Sequence, residues 1–225
     1  MKITDTNYKE LDYYADVYRT DKGSKYHGYT KAYAQHLGPY RTEVRRLLEL
    51  GLGDINSLNR EGESLYMWEA FFPNASIEGI DNDPKKLYPE SSDSRIYTYC
   101  RDQTEDLSDL GMYDVIIDDA SHIKENTLIS FQNLFYQVNP GGFYIIEDVV
   151  APAFWPGWGG SGEWQESPFL EFFFDLARHV NLQKIHNFPD NVQDKDNYKT
   201  YYRDYLTKDI EYIAFHQGMI IIKKY

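Results

Sequence analysis

Tyr113-Asp114-Val115-Ile116-Ile117-Asp118-Asp119-Ala120-Ser121-His122 is the stretch on which the reading of this chain turns. A short, nearly unbroken apolar run stops abruptly at two acids. A strand that is apolar throughout, rather than alternating, is covered on both faces, as in a parallel sheet packed between helices. The same pattern recurs on either side. Downstream, Asn126 to Val138 has helical spacing and is stopped by Asn139-Pro140-Gly141-Gly142. Phe143-Tyr144-Ile145-Ile146 then reads as a strand ending in Glu147-Asp148, and Phe169 to Val180 as a further helix. Upstream, Arg95 to Cys100 ends near Asp102, and Ser76 to Ile80 ends at Asp81. Leu47-Leu48-Glu49-Leu50 ends in Gly51-Leu52-Gly53, with Leu65 to Phe72 as the helix that follows. Tyr212 to Phe215 and Met219 to Ile222 are separated only by His216-Gln217-Gly218. A link so short permits only an antiparallel hairpin. The expectation is therefore an α/β fold with a mainly parallel seven-stranded sheet and an antiparallel C-terminal hairpin.

Before this alternation, residues 7–19 carry apolar positions at helical spacing, Asp21-Lys22-Gly23-Ser24 breaks that helix, and Thr30 to Leu37 reads as a second one. These elements predict an N-terminal helical cap over residues 1–42 on a core over 43–225, all in one domain. Segments near 151–167 and 181–209 break the alternation and read as lid or substrate loops. The chain has 225 residues, 36 acids against 23 Lys and Arg, and a formal charge of −13. That balance argues against a nucleic-acid or anionic-membrane partner. Cys100 is the one cysteine, so no intrachain disulfide can form. The first residues hold no apolar run that could serve as a signal sequence, so a cytoplasmic location is expected.

In an open parallel sheet, ligands bind outside the carboxyl ends of the strands. Each acidic group named above lies at such an end. Gly51 and Gly53 let backbone approach a ligand closely. They make no dinucleotide fingerprint, because Asn56 stands where its third glycine would be. Asp81 is placed to accept hydrogen bonds from ribose hydroxyls. Asp118, Asp119, Glu147 and Asp148 at two neighbouring strand ends would repel one another, and a hard divalent cation relieves that repulsion. His122, three residues after Asp119, reaches the same space as a proton acceptor.

These motifs resemble the metal-dependent class I S-adenosylmethionine O-methyltransferases that act on natural-product sugars, of the macrocin and mycinamicin type. The matching stretches include Thr20-Asp21-Lys22-Gly23-Ser24 with His27-Gly28-Tyr29, Leu47 to Gly51, and Gly62-Glu63-Ser64-Leu65-Tyr66-Met67-Trp68. Gly79-Ile80-Asp81, Asp102-Gln103, Asp114 to His122, Pro140-Gly141-Gly142 and Tyr144 to Asp148 follow in order. The resemblance implies a Rossmann-like class I methyltransferase sandwich that uses S-adenosyl-L-methionine and Mg²⁺. It assigns Glu49, Gly51, Gly62 and Ser64 to the methionine end of the cofactor pocket, Asp81 to the ribose, and Asp102 and Gln103 to the adenine. It assigns Asp119, Glu147 and Asp148 to the metal and His122 to the general base. Asp118 counts among the cofactor-lining positions and orients its neighbours rather than ligating metal. Three features depart from the family pattern: the longer loop over 54–61, Ala120 in place of a glycine, and Val149-Val150-Ala151-Pro152 in place of Thr-Ser-Tyr-Trp.

The implied acceptor is a hydroxylated small molecule, most simply a sugar of a natural product. Two alternatives stay open at this stage: a Mg²⁺-dependent methyltransferase of catechols or polyketide phenols, and a non-catalytic module that binds a nucleoside cofactor. The loop bearing Trp155, Trp158 and Trp164 suits an acceptor pocket and a homo-oligomer contact equally. His27 and Tyr29 are expected to close over the cofactor or simply to pack in the cap, and His179, His186 and His216 to be structural or surface residues.

Overall fold

The computed structural model describes residues 2–53, 63–88, 91–162, 167–182 and 208–225. Its strands are β1 (Arg46–Leu50), β2 (Ser76–Asp81), β3 (Ile96–Cys100), β4 (Tyr113–Asp118), β5 (Val138–Ile146), β6 (Ile210–His216) and β7 (Met219–Lys224). Together they form a seven-stranded sheet in the order β3-β2-β1-β4-β5-β7-β6. The strands from β1 to β5 pair in parallel, while β7 runs antiparallel to both β5 and β6. The expected mixed sheet with its closing hairpin is therefore present. The order reverses between β1 and β4, and that switch point opens a crevice at the strands' carboxyl ends.

The apolar strands are continuous because each side of the pleat meets a different core. Leu47, Val115, Ile117, Phe143, Ile145 and Ile221 face one side. There they pack on α1 (Lys2–Val17), α2 (Thr30–His36) and α3 (Glu63–Phe71), through Leu11, Ala15, Tyr33, Leu65, Trp68 and Phe71. Leu48, Ile116, Tyr144, Ile146, Ile220 and Ile222 face the other side. Their partners are Phe131 and Leu134 of α4 (Lys124–Leu134) and Phe169 and Phe173 of α6 (Pro168–Leu182). The cap is thus a layer of the sandwich. His36 of α2 is tied to the hairpin, its Nε2 lying 2.9 Å from His216 Nε2 and its Nδ1 2.9 Å from the Tyr212 hydroxyl.

Two local expectations change. β5 begins at Val138, so Asn139-Pro140-Gly141-Gly142 lies inside the strand instead of ending a helix ahead of it. The register explains how: Tyr113 pairs Val138 and Val115 pairs Phe143, so these residues loop out opposite Asp114. Gly142 has no side chain because a Cβ there would meet the Asp114 carbonyl oxygen at 2.6 Å. The second change is α5 (Val150–Phe154), a short helix within the segment read as loop. Most of the 181–209 segment, like Gly62 and Trp164, lies outside the described residues. Among the described residues no helix is long and apolar enough to cross a membrane.

Gly51 holds the switch point together. Its φ is +89°, and an added Cβ would lie 2.3 Å from the Asp119 carbonyl oxygen. Backbone bonds from Gly51 N to Ile80 O (2.8 Å) and from Asp119 N to Leu50 O (3.0 Å) leave no slack there. Gly51→Ala combines a disfavoured φ with a backbone collision, so it is expected to cost about 2 kcal/mol or more. Urea unfolding midpoints of the two proteins check this, and an unchanged midpoint would contradict the close approach.

Candidate active site

Pleat parity sorts the acids at the strand ends. Glu49 is buried on the cap side, where its Oε2 accepts bonds from Ser64 Oγ and Trp68 Nε1, both at 2.9 Å. Glu49 Oε1 has no hydrogen-bond partner and lies 3.3 Å from Lys22 Nζ. Burial raises the Glu49 pKa, against the pull of Lys22. Asp118 is buried on the opposite side. It accepts a bond from Ser130 Oγ of α4 and one from the Tyr144 hydroxyl at 3.2 Å. Burial lifts the Asp118 pKa to about 6. Gln103, also buried, lies with its Nε2 3.4 Å from Asp118 Oδ1 and accepts a bond from Ser121 N at 3.0 Å. Asp118 and Gln103 thus brace the turn that carries Asp119 to His122.

Asp119, His122 and Asp148 converge. Each offers a ligand atom within 4.8 Å of the others, the one such group among the described residues. His122 Nε2 is 3.9 Å from Asp119 Oδ1 and 3.7 Å from Asp148 Oδ2. His122 and Asp148 both have positive φ, +53° and +50°. Glu147, grouped with them from the sequence, is placed otherwise. It is buried behind Asp119, its Oε2 accepting a bond from Lys22 Nζ at 2.9 Å and its Oε1 one from the Tyr33 hydroxyl.

Lys22 is the participant that sequence reasoning left without a role. Its ammonium, 1% exposed, touches Asp119 Oδ2 at 2.5 Å as well as Glu147 and Glu49. Burial works against its charge, but the three carboxylates outweigh burial and hold its pKa well above the ordinary lysine value. In the sequence Lys22 stands inside the matching stretch Thr20-Asp21-Lys22-Gly23-Ser24, a helix-breaking turn in which nothing local points to its carboxylate partners. His27 and Tyr29 reach Asp148, through a Tyr29 hydroxyl bond of 2.6 Å and a His27 Nδ1 distance of 3.3 Å.

Asp81 closes the crevice on the β2 side. It is buried and accepts bonds from Leu52 N at 3.0 Å, Asp83 N at 2.9 Å and Lys86 Nζ at 3.2 Å. Asp102 accepts two bonds from Thr104, which lower its pKa. Glu49 is screened from the crevice by Ser64 and Lys22, but Ser64, Gly51, Asp81, Asp102, Gln103, Asp119, His122 and Asp148 all border one cavity of about 790 Å³. Trp158 lines its rim, with its ring centroid 5.0 Å from that of Trp155. The volume suits a ligand of cofactor size. The carboxylate oxygens of Asp119 and Asp148 are donors that suit a hard divalent cation, and the His122 imidazole faces both across a gap with no direct hydrogen bond to either.

No protein-family model matches the chain. It is 38% identical over 160 residues to demethylmacrocin O-methyltransferase of Streptomyces fradiae, covering 68% of this chain and 40% of that protein. It is 36% identical over 184 residues to mycinamicin VI 2''-O-methyltransferase of Micromonospora griseorubida, covering 77% of this chain and 45% of that protein. The chain therefore spans less than half the length of these two relatives. Among solved structures, the MycE methyltransferase of the mycinamycin biosynthetic pathway, in complex with Mg and SAH, superposes with a TM-score of 0.77 at 30% identity. That match covers 96% of this chain and 54% of the MycE chain. The fold is that of the class I methyltransferases, and in sequence and structure the chain resembles the natural-product sugar O-methyltransferases of the macrocin and mycinamicin type.

Proposed function

We propose that the chain is an S-adenosylmethionine- and Mg²⁺-dependent O-methyltransferase whose acceptor is a sugar hydroxyl of a natural product or related glycoside. The observation that carries this reading is the convergence of Asp119, His122 and Asp148 beside a cavity that also holds Asp81. A module that only binds a nucleoside has no use for an imidazole set between two carboxylates. Likeness to enzymes named for sugar O-methylation supports the acceptor class.

In this reading Asp81 accepts the ribose hydroxyls, Ser64 and Gly51 border the methionine end with Glu49 behind them, and Asp102 and Gln103 lie toward the adenine. Gly62, which lies outside the described residues, is assigned to the methionine end by the resemblance alone. Asp119 and Asp148 would hold Mg²⁺ through Oδ1 and Oδ2. Glu147, in the conformation described, is committed to Lys22 and Tyr33 and supports the site from behind. When bound, the ion polarises an acceptor hydroxyl, and S-adenosylmethionine supplies the methyl group. His122 takes the hydroxyl proton at Nε2, the ring atom that faces both carboxylates. Trp158 offers an aromatic face at the rim for the apolar side of a sugar ring. The cap over residues 1–42 belongs to the same domain, because Lys22 and Tyr29 bond to site carboxylates.

Titration calorimetry tests the reading, with S-adenosylmethionine against NAD and Mg²⁺ against EDTA. Micromolar binding of S-adenosylmethionine alone is expected, followed by Mg²⁺-dependent methylation in a screen of glycosides and catechols. No binding of S-adenosylmethionine under any condition would overturn the proposal, and methylation confined to catechols would overturn its acceptor class.

A further inference from the structure

We infer that Lys22 and Tyr29, both from the N-terminal cap, are positioning residues that aim the two carboxylates assigned above to the metal. The inference rests on that assignment and deepens it. Among the described residues, each of these carboxylates is held by a cap side chain at one oxygen, and its other oxygen faces His122. Lys22 Nζ takes Asp119 Oδ2 at 2.5 Å, so Oδ1 is the oxygen that faces His122. The Tyr29 hydroxyl donates to Asp148 Oδ1 at 2.6 Å, so Oδ2 is the one that faces His122. One peptide segment thus fixes both rotamers, and the two oxygens that face His122 point into the same gap.

The holders are themselves held. Lys22 is 1% exposed and Tyr29 5%. Thr30 N donates to Lys22 O at 3.1 Å, and Thr30 Oγ1 donates to Asp12 Oδ1 of α1 at 2.8 Å. The Tyr29 ring lies against the hairpin turn, where a Cβ on Gly218 would sit 2.6 Å from its hydroxyl oxygen. A cation site whose ligands are free to rotate must order them on binding. Partners that orient the ligands in advance typically change metal affinity by about 10–100-fold. Lys22 also contacts Glu49 at 3.3 Å, so the same ammonium joins the metal-facing carboxylate to the end of the cavity assigned above to the methionine.

The test uses Mn²⁺ as the metal probe, titrated into the full chain by calorimetry without acceptor or methyl donor. Tyr29→Phe keeps the ring and removes only the hydroxyl. It is expected to weaken Mn²⁺ binding by about tenfold, with the protein still folded and S-adenosylhomocysteine affinity unchanged. Lys22→Arg keeps the charge but alters its reach, so weaker Mn²⁺ binding in that variant would report lost aim rather than lost charge. Should Lys22→Arg fail to fold, Tyr29→Phe decides the matter alone. Wild-type affinity in Tyr29→Phe overturns the positioning role, whereas absence of Mn²⁺ binding by the wild type overturns the metal assignment itself.

Discussion

His122→Ala should lower methyl-transfer turnover by about 10²–10⁴-fold, the range of a positioned proton acceptor, while leaving S-adenosylmethionine binding intact. Its Nε2 is the ring atom that faces both carboxylates of the gap. Asp119 Oδ1 and Asp148 Oδ2, at 3.9 and 3.7 Å, are committed to a cation in the proposed mechanism, which leaves the imidazole as the proton acceptor. Alanine inherits the +53° φ that histidine already adopts, so the exchange adds little new backbone cost. Label transfer from S-adenosylmethionine measures turnover, and calorimetry measures binding. Normal turnover with normal binding would remove the base assignment.

Asp119→Asn should abolish stimulation by Mg²⁺ and cost about 10³-fold in rate, if a Lewis acid contributes several kcal/mol. The amide preserves shape and can still accept a bond from Lys22 through one atom. It carries no charge, and it must present either an NH₂ or a neutral oxygen to the centre. Removing the charge also leaves Lys22 with Glu147 and Glu49 as its carboxylate neighbours, so the fold keeps its buried ion pairs. Initial rates against Mg²⁺ concentration, with an EDTA baseline, give the result. Stimulation equal to that of the wild type would exclude Asp119 as an essential ligand.

The strands were legible because burial on both faces makes them nearly pure runs of Ile, Leu, Val and aromatic residues. The hairpin was legible because three residues leave no other geometry. The start of β5 was not: Asn139-Pro140-Gly141-Gly142 has the composition of a turn, and the looped register opposite Asp114 that accommodates it is a tertiary arrangement. The site was legible as a set of acids at strand ends but not in its division between faces. Parity was available in the sequence. Asp118 follows Leu48 and Ile116 on the α4 side, while Glu49 and Asp119 fall in step with Leu47 and Ile117 on the cap side. The roles of Lys22 and Tyr33 had no local signal, because their partner Glu147 is more than a hundred residues away in sequence and only the folded cap brings them to it.

The left-handed backbone at His122 and Asp148 has a consequence for engineering. Most side chains are disfavoured in that region relative to glycine, so the chemistry of each side chain is set against backbone strain. Thermal robustness alone favours glycine at 122, whereas the Asp148 carboxylate also anchors Tyr29. Histidine at 122 and aspartate at 148 make these loop positions places where backbone ease and activity pull apart. A thermostabilising screen blind to function should therefore return glycine at 122 among its winners, folded and inactive.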